Sequence, residues 1–164
     1  MKRYPLQTLV KLRAHRTALA RTHMLEKQAA ARACREECAR IEAGIDALGV
    51  ERASHRQRLL DPPPPGQPWA VAMEQREAHI GLLGERIVME QANLQQANQR
   101  LAAAERELDE ARQAWVRAQA REDALAKRRE AWVGEQVALE GRREEEAAAD
   151  LVQARAARAM HEPQ

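Results

Sequence analysis

Apolar residues recur at every seventh position along the second half of this chain: Ile80, Ile87, Leu94, Leu101, Leu108 and Trp115. A second row, Leu83, Ala97, Ala104, Ala111 and Ala118, threads between them at alternating spacings of three and four, interrupted only by Glu90. A sustained 3.5-residue repeat draws one apolar stripe down a long helix, and such a stripe needs a partner helix along its length. The pattern predicts an all-α coiled coil whose function lies in its ends, faces and partners; no pocket is expected.

Composition points the same way. The 164 residues include no Phe and one Tyr, too few large apolar side chains for a compact core drawn from several elements. Low hydrophobicity with high charge is also the signature of disorder. Abundant Ala, Arg, Glu and Gln in unbroken heptads favour an ordered helix instead. The formal net charge of +2 is close to neutral and implies neither a nucleic acid nor a membrane partner. Locally the balance differs. Lys2 to Arg35 holds nine Lys or Arg against one acidic residue, Glu26, and the remainder is net acidic. A basic first helix can bind phosphates or acidic headgroups. Pairing with acidic residues of the returning helix, or of a protein partner, is the preferred reading, because no base-stacking aromatics are interleaved with the charges. The basic start Met1-Lys2-Arg3 is followed by no apolar run, so neither a signal peptide nor a membrane span is expected, and the chain is expected in the cytoplasm.

One break dominates the chain: Asp61-Pro62-Pro63-Pro64-Pro65-Gly66-Gln67-Pro68. Proline removes a helical hydrogen bond and restricts the residue before it, so a helix ending near Leu60 cannot continue through this run. Pro68 suits the first turn of the next helix, with Gln67 as a mediocre cap. The expected architecture is a single antiparallel two-helix hairpin: helix 1 over about 6–60, a stiff loop over 61–68 and helix 2 over about 69–160. The first segment carries its own seam: Leu6, Val10, Arg13, Thr17, Ala20, Met24, Lys27, Ala31, Cys34, Cys38, Ile41, Ile45, Leu48, Arg52, His55 and Leu59. Leu9, Leu12, Leu19 and Leu25 lie off this register and leave room for the seam to shift or widen toward the N-terminus. The two helices would measure roughly 80 Å and 135 Å. Closure at the proline loop would set residues near 6 against residues near 123. Helix 2 beyond about Leu125 would then overhang, leaving Leu125, Trp132, Val133 and Leu139 without a partner from the same chain. Such an overhang is a docking surface or an oligomerisation seam.

Candidate chemistry is sparse. Cys34 and Cys38 lie four apart on one face, but structural zinc needs four ligands, and no second Cys/His pair has suitable spacing. A disulfide within one turn is geometrically poor, so both are read as small seam residues. The histidines, His15, His23, His55, His79 and His161, are scattered; His55 and His79 can face each other across the hairpin and make a pH-sensitive contact at most. No Gly-rich phosphate loop, nucleophile–base arrangement or paired carboxylate site is present. The run Glu144-Glu145-Glu146 reads as a solvated helix face. The chain is read as non-enzymatic, with no catalytic residues, cofactor or metal. Trp115 falls on the seam, whereas Trp69 at the loop tip and Trp132 on the overhang are candidate partner anchors.

The opening Tyr4-Pro5-Leu6-Gln7-Thr8-Leu9-Val10-Lys11-Leu12-Arg13 resembles the start of the FliJ/YscO family, an aromatic followed by Leu-x-x-Leu-hydrophobic-x-x-Arg. The tail, Arg121-Glu122-Asp123-Ala124-Leu125-Ala126-Lys127-Arg128-Arg129 and then Arg142-Arg143-Glu144-Glu145-Glu146 with Asp150-Leu151, is similar to the family's Arg/Glu-rich closing helix. The proline-rich turn departs from the family pattern. The virulence-type branch is preferred, with the flagellar branch kept open. The resemblance implies a central stalk of a type III secretion system that couples a hexameric export ATPase to the membrane export gate and stimulates or organises the ATPase. It implies contacts with the ATPase, an export-gate membrane protein and secretion chaperones, and a peripheral place at the inner membrane. On that reading Arg13, Arg16, Arg21, Arg128 and Arg129 contact the ATPase, and Trp69, Val71 and Met73 face the gate. The competing readings are a self-assembling coiled-coil scaffold pairing in trans, and a basic helical arm binding nucleic acid or a membrane surface.

Overall fold

The computed structural model describes residues 3–161, the backbone only at 157 and 159–161. Two helices account for nearly all of it: α1, Gln7–Gln57, and α2, Trp69–His161. They pack against each other as a helical hairpin, with no strands among the described residues. Each helix begins where proline permits. Leu6 and Pro68 accept the first intrahelical hydrogen bonds, from the amides of Val10 at 3.0 Å and Ala72 at 3.2 Å. Pro68 therefore stands at the cap, one position earlier than expected. The Gln67 side chain does not cap; it donates to Gln75 Oε1 at 2.9 Å.

Contacts between the helices fall into two units. The larger, Thr22–Gln113, contains the loop and most of the buried side chains. Met24, Ala31 and Cys38 are buried on α1, facing Ala72, Ile80, Leu83, Ala97, Leu108 and Ala111 on α2. Every residue of both expected seams is buried or half-buried. Leu12, Leu19 and Leu25 are exposed and Leu9 is half-buried, so the α1 seam keeps its register and widens at Leu9 near the N-terminus. Small residues set the spacing: Ala31 is 0% and Ala97 1% exposed, and Leu83 at 2% is the largest side chain fully enclosed. At Gly84, a Cβ would meet the Arg52 guanidinium Nη2 at 3.0 Å, so the absent side chain is what lets Arg52 lie across α2.

The flanks of this seam carry cross-helix ion pairs. Lys27 Nζ donates to Glu107 Oε2 at 2.7 Å, Arg35 Nη2 to Glu105 Oε1 at 2.7 Å and Arg100 Nη2 to Glu37 Oε1 at 3.2 Å. Part of the basic first helix is thus neutralised by the returning one, as the charge pattern suggested; Lys2 lies outside the described residues. The hydrogen bond from Lys27, reinforced by the attraction of its charge, holds Glu107 below its ordinary value of 4.5. The same contact raises Lys27 above 10.5. Glu107's contribution to stability is present above the unfolded carboxylate value and is lost as pH falls through its depressed folded one. That of Lys27 is present below 10.5 and lost only as pH rises through its elevated value.

The smaller unit, Met1–Arg21 with Ala114–Gln164, revises the expected pairing. Tyr4 packs on Trp132, ring centroids 5.3 Å apart, where the seam arithmetic set Tyr4 against a residue near 125. Trp132 therefore has a partner in its own chain. Arg3 and Pro5 line one depression together with Trp132, Gln136 and Leu139, so Leu139 is not isolated either. Here pairing runs about one heptad further along α2; at the loop, residues 58–61 lie beside Arg76, in the second turn of α2. Only beyond Gly141 is every described side chain of α2 exposed.

Leu83→Ala should cost about 2–3 kcal/mol of unfolding free energy, because a two-helix seam cannot collapse around the cavity. Leu82→Ala, one position off the seam, should change stability by no more than about 0.5 kcal/mol; urea unfolding followed by circular dichroism measures both. Glu107→Gln should lower the urea midpoint at pH 7, and the difference from the native chain should vanish as pH falls through the Glu107 titration.

Candidate partner-binding surfaces

The loop end is built by one guanidinium. A helix leaves its last carbonyls without intrahelical partners; in α1 those of Ser54 and Arg56 accept from the amides of Arg58 and Leu59, and the carbonyls that follow the helix are gathered by Arg76 of α2. Its Nη1 donates to the carbonyls of Arg58 at 3.3 Å, Leu59 at 3.0 Å and Asp61 at 2.7 Å. The charged donor strengthens these bonds and suits the negative end of the α1 dipole. The loop then closes through a turn in which the Gln67 amide donates to Pro64 O at 3.2 Å and Gly66 adopts φ 86°, a conformation glycine takes without strain. This arrangement leaves Trp69 at the first position of α2, 48% exposed, with Val71 and Leu60 also exposed; Met73 is half-buried. The three residues expected at this end thus share the first turns of α2, but Met73 is the least available of them.

In the smaller unit the arginines group differently from the expected set. Arg13 and Arg16, one turn apart on α1, line a single cleft with Arg117 and Arg121, one turn apart on α2, around the small Ala114 and Ala118. Among the described residues no carboxylate lies within ion-pair distance of any of the four. Arg21, Arg128 and Arg129 are exposed and do not line this cleft. Arg117 and Arg121 escaped the sequence reading because their proximity to Arg13 depends on the cross-helix register. Further along α2, residues 142–156 present Leu151 and Val152 among charged and alanine positions, all exposed.

Two of the scattered histidines meet. His55 and His79 do face each other, centroids 4.5 Å apart and edge to face. Glu51, one turn before His55, points Oε1 between them, 3.9 Å from His55 Nε2 and 3.8 Å from His79 Nε2. The side chain of His161 lies outside the described residues. Cys34 is half-buried and Cys38 buried on the seam, both free thiols. No helix among the described residues is long and apolar enough to cross a membrane.

The YscO-like protein family matches residues 1–161 of this chain. No curated protein matches it. A solved structure described as a YscO homolog, CT670 from Chlamydia trachomatis, has the same fold: TM-score 0.75 at 20% identity, covering 99% of this chain and 100% of that one.

Replacing Arg76 by Ala should lower stability by about 1 kcal/mol, the net value of a typical hydrogen bond. It should also accelerate amide hydrogen exchange at Leu59 and Asp61, whose turn bonds lie beside the three carbonyls Arg76 holds.

Proposed function

Because the chain belongs to the YscO-like family and so to the components of type III secretion, we propose that it serves as the non-enzymatic stalk of the export apparatus. One end engages the hexameric export ATPase and the other the membrane export gate. The observation that carries the first contact is the cleft of Arg13, Arg16, Arg117 and Arg121. Four guanidinium groups with no carboxylate at ion-pair distance among the described residues repel one another, and an acidic surface brought against them relieves that repulsion. Acidic loops lining the ATPase pore have the matching chemistry. Arg21, Arg128 and Arg129 are further exposed cations of the smaller unit.

A stalk that meets a ring of identical subunits through a one-sided patch contacts them unequally. Unequal contact favours one state of one subunit interface over the others, which is how a ligand without catalytic groups organises or stimulates an ATPase. At the loop end, Trp69 and Val71 offer exposed apolar surface on the well-held first turn of α2, with Met73 beneath, for the gate protein. The scaffold reading has less support, because the seam that would pair chains in trans is filled by the chain's own two helices.

Arg13→Glu, Arg16→Glu, Arg117→Glu and Arg121→Glu combined should weaken binding to the purified cognate ATPase by at least about tenfold, read by titration calorimetry, with unchanged helix content. Arg16, Arg117 and Arg121 are exposed and the fold tolerates their change, whereas Arg13 is half-buried on the seam, so the triple variant that keeps Arg13 is titrated beside the quadruple one. Full binding by the quadruple variant would move the ATPase contact to the loop end or to residues 142–156 and would remove this reading.

A further inference from the structure

We infer that Glu51, His55 and His79 form a cross-helix binding site for a divalent transition-metal ion, zinc being the best fit. The inference is independent of the stalk reading. Two ligands come from α1, at positions four apart on one helical face, and the third from α2. One ligand atom from each residue can be chosen so that all three lie within 4.8 Å of one another. The carboxylate oxygen is 3.9 Å from His55 Nε2 and 3.8 Å from His79 Nε2. Those separations are too long for hydrogen bonds. They are close to the separation of about 3.4 Å between two ligands of one tetrahedral zinc with bonds near 2.1 Å.

The donor set selects the metal. Two neutral imidazoles and one carboxylate suit Zn²⁺, Ni²⁺ or Cu²⁺, whereas Ca²⁺ and Mg²⁺ prefer all-oxygen shells. Access and adjustment are both available, because the three side chains are between 41% and 49% exposed. Small side-chain rotations then shorten the remaining gaps, and water completes the fourth position. The ion would hold α1 to α2 beside the proline loop, which gives the site a consequence of its own. Metal bound only by the folded hairpin raises its melting temperature by mass action.

The test uses the full chain, stripped with EDTA and titrated with ZnCl₂ at pH 7.5. The expected result is one ion bound per chain and a melting temperature raised by about 2–6 °C, reversed by EDTA. His55→Ala and His79→Ala should each weaken binding at least tenfold and abolish the shift. Cys34→Ser with Cys38→Ser should leave both unchanged. Circular dichroism reports whether each variant keeps its helix content. In the unsubstituted chain, Cu²⁺ should broaden the ring proton signals of His55 and His79 before those of His15 and His23, which reads the site without any mutation. The inference is overturned by the absence of binding below millimolar zinc, by binding that survives His79→Ala, by its loss in the cysteine variant, or by broadening that spares His55 and His79.

Discussion

Two helices can enclose only one stripe of each other, and the closeness of that approach decides everything else in this hairpin. Alanine at positions 31, 97 and 111 and cysteine at 38 let the backbones come together, and Ile80, Leu83 and Leu108 fill the space between. Among the described residues no third element adds to the core. Most of each helix's circumference therefore faces water. That surface is charged, and it divides by what it meets: cations opposite carboxylates in the larger unit are satisfied, and cations opposite cations in the smaller one are not.

The seam fixes which face each helix presents but not which residue meets which. A heptad repeat is nearly indifferent to sliding by one heptad, so pairing is decided at the loop. There the Arg76 guanidinium gathers three carbonyls at the end of α1 and folds residues 58–61 against α2. In the larger unit His79 meets Glu51; in the smaller one Tyr4 pairs with Trp132 and Arg13 shares a cleft with Arg121.

This hierarchy explains what the amino-acid sequence revealed and what it withheld. The full seam of α1, from Leu6 to Leu59, was legible, because period 3.5 survives even with Arg13, Lys27, Arg52 and His55 among its members. The break at Pro62–Pro65 was legible from backbone chemistry alone. The pairing was not, because nothing in the spacing announces that Arg76 reaches back to Arg58, Leu59 and Asp61. The overhang was accordingly begun too early, at Leu125, and Trp132 was left without its tyrosine. The arginine cleft was half visible: Arg13 and Arg16 stood out in a basic segment, while Arg117 and Arg121 sit in a stretch balanced by Glu110, Glu122 and Asp123. His55 opposite His79 was foreseeable from their positions around the loop. Glu51 was missed, although Glu-x-x-x-His on one helical face was the signal for it.

The antiparallel pairing also has a consequence for how the chain is made. Partners beside the loop are separated by a few turns of polypeptide, whereas Tyr4 and Trp132 are separated by most of its length. During translation α1 leaves the ribosome complete while its complement is still unwritten, and the residues synthesised first wait longest to be covered. A stripe of leucines held open for that interval would invite association with other nascent chains. Here the first half of the waiting stripe sets Leu6, Val10 and Met24 apart among Arg13, Thr17, Ala20, Lys27 and Ala31. A seam chosen for close approach in the finished hairpin is thus also a weakly adhesive one while the hairpin is unfinished.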